Sequence, residues 1–253
     1  MKRLSVLLTV LLLVSVCFTA TAQEKVLLKY NPEAGTTTKY KMNIKGNTTV
    51  NAAGTNQQTN LETAMTIQQK VTGKDKDGNI DMETAILEGK IIVNGTPTTL
   101  PNVGQLINVK MAPDGTIISQ TGMDPNSGMN NQQVKFPTKP VAVGDSWVTK
   151  MEANPQVPVA METVYTVEAF EKMGGEDCVR LKSEVSTNKG QNGGLNLDVK
   201  ANGKIWFAYK KGVMIKNEVS SKMIMVMQQD LGNGKKENIT TRMNLLLQMG
   251  VTK

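Results

Sequence analysis

Val213-Met-Ile-Lys-Asn-Glu-Val-Ser-Ser-Lys-Met-Ile-Met-Val-Met227 alternates. Its odd positions read Val213, Ile215, Asn217, Val219, Ser221, Met223, Met225 and Met227, and its even positions include Lys216, Glu218, Ser220 and Lys222. A repeat of two is the period of a strand with one apolar face. A helix would mix Lys216, Asn217 and Ser220 into its apolar stripe. The strand predicted from Val213 runs for about 17 residues, roughly 55 Å if straight. Leu231-Gly-Asn-Gly-Lys235 then offers a reversal, and Ile239, Met243, Leu245, Leu247 and Met249 return on one face. Two long alternating runs joined by a Gly-Asn-Gly turn predict a hairpin.

The same alternation extends outward from this hairpin. Upstream, Val157, Val159, Met161, Tyr165 and Val167 share a face, Gly174-Gly175 turns the chain, and Val179, Leu181 and Val185 run back. Leu195, Leu197 and Val199 begin a further segment, expected to turn at Asn202-Gly203 into Ile205, Phe207 and Tyr209. In the first half, Tyr40, Met42 and Ile44 oppose Lys39, Lys41, Asn43 and Lys45, and Leu61, Met65, Ile67 and Val71 oppose Glu62, Thr66, Gln68 and Lys70. Gly73 to Asn79 reverses the chain into Ile80 to Leu87, and Pro113-Asp114-Gly115 offers another reversal. The fold class expected is all-β.

Near the middle, Lys135-Phe-Pro-Thr-Lys-Pro-Val-Ala-Val-Gly-Asp-Ser-Trp147 interrupts the pattern. Pro137 and Pro140 fix φ and remove backbone donors, so this is an extended connector. Gly122 to Gln133 has no period and reads as a loop leading into it. Segments on either side match at a shift of about 100 residues. Glu62-Thr63-x-x-Thr66 recurs as Glu162-Thr163-x-x-Thr166, and Gly115-Thr-Ile-Ile118 as Gly212-Val-Met-Ile215. The expectation is one all-β domain over 23–253, in two similar halves (about 23–121 and 144–253) joined by a loop and connector over 122–143. A duplicated meander of long antiparallel strands, apolar on one side, must cover that side. It can curl into a half-open barrel or split into two packed sheets.

Lys2-Arg3, the apolar run Leu4 to Val16 and Ala20-Thr21-Ala22 have the form of a signal peptide over 1–22. The chain is therefore expected to be exported, to the periplasm or beyond the cell. Val14-Ser15-Val16-Cys17 is a poorer match to a lipid-attachment signal, because Val16 is bulky where that signal needs a small residue. Cleavage after Ala22 leaves Cys178 as a single cysteine, expected to be small and buried. No later stretch is long and apolar enough to cross a bilayer, so no transmembrane segment is expected in the mature chain. The charge of +7 falls to +5 without Lys2 and Arg3. The remaining lysines are scattered, so no nucleic-acid partner is expected.

The sequence contains no histidine, which removes Ser-His-Asp and Cys-His catalysis and any imidazole-bound zinc. Asp75 to Asp81 resembles a calcium loop, but Ile80 and Ile86 fall where that loop needs Gly and Glu. A polar hairpin turn is the better reading. No catalytic residue, metal site or cofactor is expected, and the chain is read as not an enzyme. Trp147, Trp206, Phe207, Tyr165 and Tyr209 read as core or sheet-edge packing.

Methionine is abundant, at 16 residues, and gathers on the last hairpin. Met223, Met225, Met227, Met243, Leu245, Leu247 and Met249 are the candidate ligand-binding residues. Methionine is flexible and polarizable and suits surfaces that accept varied apolar partners. A loosely packed core beneath a curved sheet would use the same residues.

Phe136-Pro-x-Lys-Pro-Val-x-Val-Gly-Asp-Ser-Trp147, with the Gly35 to Met42 opening and the Asp77-Gly-Asn turn, resembles a family of uncharacterised exported bacterial proteins, a domain of unknown function. The resemblance implies a bacterial envelope protein and supplies no catalytic residues. In architecture alone, the long-strand meander is similar to half-barrel periplasmic carriers of lipoproteins and lipids. The expected function is non-catalytic binding of an apolar or lipid-like ligand on a Met-rich concave face. The alternative is a structural or interaction protein of the envelope with no small-molecule ligand.

Overall fold

The computed structural model describes residues 25–52, 54–122, 133–153, 159–187, 191–192, 195–230 and 236–252. The segment 1–22 with Cys17, most of the Gly122 to Gln133 loop, Val157 and the Leu231 to Lys235 turn lie outside the described residues. No helix occurs among those described. The strands are β1 (Thr37–Ala52), β2 (Thr55–Lys74), β3 (Ile80–Val93), β4 (Thr96–Thr99), β5 (Leu106–Met111), β6 (Ile117–Thr121), β7 (Ser146–Met151), β8 (Met161–Met173), β9 (Glu176–Thr187), β10 (Gln191–Asn192), β11 (Leu195–Ala208), β12 (Val213–Asp230) and β13 (Lys236–Val251).

All thirteen strands belong to one sheet, ordered β6-β5-β3-β2-β1-β13-β12-β11-β9-β8-β7, with β4 on β3 and β10 on β11. Their ladders are antiparallel. The two-packed-sheet alternative is therefore not what forms. The order is that of an up-and-down barrel whose first and last strands have paired, Ile44 with Leu247 and Met42 with Met249. The barrel stays open elsewhere, because β6 and β7 end the sheet without pairing to each other.

Two extended segments, residues 25–34 and 133–145, lie within this curl and fill one end of it. They bridge each other at Val26 and Val141, through reciprocal bonds of 2.8 and 2.9 Å. Leu28, Tyr30, Val134, Phe136 and Val141 bury in a single cluster with Val71, Ile80, Met82 and Met111 from one wing and Val167, Val179, Leu181, Ile205 and Phe207 from the other. One core shared by both wings is what makes the sheet curl. Phe136 is its hub, with ring centroids 4.6 Å from Phe207 and 5.1 Å from Tyr30.

The local chemistry of the connector follows from this position. Phe136 N–H donates to the Asp114 carbonyl and Tyr30 N–H to that of Pro113, so the β5–β6 turn grips both segments. An added Cβ at Gly115 would strike the Val134 carbonyl, and one at Gly212 the backbone of Asn31. Both turns approach the plug too closely for any side chain. Asp145 accepts from Ala142 N–H at 2.9 Å and turns the chain into β7. There Trp147 stacks on Tyr165 at 5.3 Å and donates from Nε1 to the Lys135 carbonyl.

One local expectation needs correcting. Asn202-Gly203 is not a turn, because β11 runs through it in register with β12, Gly203 opposite Val219. A Cβ at Gly203 would sit 2.5 Å from Ser183 Oγ and 3.0 Å from the Glu218 carbonyl, so this glycine provides space within a strand. Extended segments fill the concavity.

Candidate functional site

Antiparallel pairing places directly opposed residues on one face, so register shows what each row of the sheet presents. On the inner face, which also carries the plug, Met223 pairs with both Met243 and Val199, and Leu197 with Met225. Leu245 pairs with Ser221, and Leu247 with Val219 and Ile44. The row nearest the plug holds Asn217 opposite Met249 and Ile205. Thus the predicted residues do share one face, and β1 and β11 extend it with Ile44, Val199 and Leu197. The sequence alternation showed each strand's face but carried no register, so those neighbours were absent from the predicted set.

Burial changes along this face. At the plugged end Phe207, Leu181 and Ile80 are fully buried. Further along, Met223, Met225, Met243, Leu245, Leu247 and Met249 are half-buried, and Met227 is 44% exposed. These residues are therefore outside the sealed core, and Met227 lies at the solvent-facing limit of the set. Between the two regions, the Asn217 side-chain oxygen is buried without a hydrogen-bond partner among the described residues.

The two best-formed depressions lie elsewhere, on the outer face of β1, β2 and β3. One, of about 460 Å³, is lined by Lys41, Asn43, Ala64, Met65, Thr66, Glu88, Gly89 and Lys90. The other, about 100 Å³, adjoins it through Asn43, Ala64 and Lys90. The small Ala64 sits in register between Asn43 and Lys90 and leaves the gap. This saddle mixes charged side chains (Lys41, Glu88, Lys90) with Ala64, Met65 and Ile92, and none of the seven predicted residues reaches it.

Several carboxylates act as ion-pair partners. Arg180 bonds Glu168 at 2.9 Å and Glu171 at 2.7 Å, and Trp206 Nε1 donates to Glu171 at 2.6 Å. Asn79 and Lys110 hold the Asp75 carboxyl well below the usual range, and Lys210 and Lys172 lower that of Asp177. Such groups stay ionised at neutral pH, whereas a general acid needs a raised pKa. Asp75 also accepts N–H bonds from Asp77 and Asn79, which is a turn closed by a side chain. Cys178 is free and fully buried, and desolvation pushes its thiol pKa up, away from the reactive thiolate. Among the described residues no group of three or more His, Cys, Asp or Glu stands where it could hold a metal ion.

No protein-family model matches the chain, and no curated protein does. A solved structure, DynF from the dynemicin biosynthesis pathway of Micromonospora chersina, aligns over 91% of this chain and 86% of its own at 10% identity. Its TM-score is 0.25, and at that level the likeness carries no argument about function.

Proposed function

We propose that the protein is a non-catalytic, exported component of the bacterial envelope that holds an apolar or lipid-like ligand against the inner face of β12 and β13. The observation that carries this reading is the change in burial along one face. Ile205 and Phe207 are buried in the cluster that the plug completes, while Met223, Met243, Leu245 and Leu247 stand half-buried outside that cluster. Adaptable methionines beside fixed leucines suit a ligand of variable shape. The export signal read over 1–22 and the resemblance of Phe136 to Trp147 support the address. Among the described residues no helix is long and apolar enough to cross a membrane.

A structural or interaction role draws support from the sheet's two free ends. Ile118 on β6 and Val148 on β7 are each 50% exposed, and uncovered edge strands pair readily with other chains.

Native mass spectrometry of the protein from its own envelope, before and after organic extraction, separates the two readings. A co-purifying mass that extraction removes, and that a Met223→Asp, Leu245→Asp variant of unchanged circular dichroism no longer carries, is the expected result. A bare protein that takes up no fluorescent fatty acid would sink the ligand reading and favour the interaction role.

A further inference from the structure

We infer that the outer face of the β11–β12–β13 ladder, from the row of Leu246 outward, docks on an anionic lipid bilayer. Lys200 stands directly opposite Lys222, and Arg242 lies opposite Ile224, the next outer-face residue along β12. Like charges set opposite each other in a ladder destabilise it, and none of these three cations makes an ion pair among the described residues. Asp198, opposite Ile224, is the acid in these rows. Nearer the plugged end acids accompany the cations of the same face, Lys216 with Glu218 at 2.8 Å, Lys182 with Glu184 at 2.9 Å and Lys45 with Glu62 at 3.7 Å, although Lys204 stands opposite Lys182. On β11, β12 and β13 the rows of Lys222 and Ile224 thus set three cations against one acid.

The patch is also apolar. Ile224 is 41% exposed and Leu246 is 44% exposed, on either side of Lys222 along the ladder. Cations reaching lipid phosphates, with aliphatic tips entering the headgroup boundary, match an anionic membrane surface. The three cations are more than twenty residues apart from end to end in sequence, so only strand register assembles them. This inference is independent of the ligand reading, because it uses the opposite face of the sheet.

The test is flotation of the purified protein with vesicles of phosphatidylcholine alone or with one-third phosphatidylglycerol, at low and high salt. Binding is expected only with phosphatidylglycerol and is expected to fall with salt. Lys200→Gln, Lys222→Gln, Arg242→Gln should weaken it by about a hundredfold, at about fivefold per charge. Ile224→Ser with Leu246→Ser should weaken it while keeping the salt dependence. A triple variant of equal charge change elsewhere, Lys76→Gln, Lys150→Gln, Lys172→Gln, should bind like the parent. Equal loss in both triple variants would mean net charge alone, and equal binding to neutral vesicles would mean no headgroup recognition. Retention on heparin without vesicle binding would point to another polyanion. Each of these three outcomes overturns the inference.

Discussion

Asn217 stands in the apolar row between Ile205 and Met249 and buries its side-chain oxygen with nothing to bond among the described residues. A buried acceptor without a partner costs about 1–3 kcal/mol relative to a bonded one. Asn217→Val, similar in size and better suited to a strand, should therefore raise stability by about 1 kcal/mol or more. Urea unfolding would show it as a higher midpoint at unchanged slope. A lower midpoint would mean that the oxygen is bonded in solution, for example to a water. The sequence showed Asn217 as the odd member of an apolar series but not its isolation, which depends on neighbours from β11 and β13. Trp206 is a similar case. It lies on the outer face, its Nε1 bonded to Glu171 and Lys216 4.8 Å above its ring, an arrangement that no local pattern encodes.

Alternation was enough to identify β1, β2, β8, β9, β12 and β13, but bulges break the period in β8 and β12, where Val213 and Ile215 pack with Trp206 and Met214 packs on the core instead of all sharing the face of Asn217. Their pairing was not legible, since hydrophobic period sets a strand's face but not its neighbour. Asn94-Gly95, both at positive φ, makes the tight turn from β3 to β4. That dipeptide is a recognised hairpin signal, and it was passed over because the four-residue β4 is too short to alternate visibly. Asn202-Gly203 misled in the opposite direction, as turn residues inside a continuous strand. Its role is spatial, so Gly203→Val should destabilise the fold by about 1–3 kcal/mol through overpacking. The neighbours met by the new side chain would be Ser183, the Glu218 carbonyl and Val219. Thermal unfolding followed by circular dichroism measures the loss, and Gly203→Val with Ser183→Ala should recover part of it. A neutral Gly203→Val would show that β9 and β12 can move apart at this row.

At the scale of the molecule, the connector that interrupts the sequence pattern becomes part of the core around which the open barrel curls. The break was legible from Pro137 and Pro140, but the burial of Phe136 and Val141 was not, because a sequence does not say that two sheet wings will close over it. Tyr30 and Tyr40 make this arrangement sensitive to alkali. Burial raises both phenol pKa values, that of Tyr40 to about 12, and Tyr40 donates from its hydroxyl to the Met214 carbonyl at 3.1 Å. In the unfolded chain each would ionise near pH 10. A pKa higher in the folded state means that the unfolded chain releases protons first, so the stabilisation is complete below about pH 10 and is lost as pH rises through the folded value. For Tyr40 alone a shift of this size corresponds to about 3 kcal/mol. Titration from pH 8 upward, followed by circular dichroism, should show loss of β structure beginning above pH 10. Tyr30→Phe with Tyr40→Phe keeps both rings in the core and removes both protons, so its transition should move to higher pH even if its stability at pH 7 is slightly lower. The comparison with the parent cancels the lysines that titrate in the same range. Coincident transitions would mean that alkali unfolds the protein through its surface ion pairs and that the plug does not control the curl of the sheet.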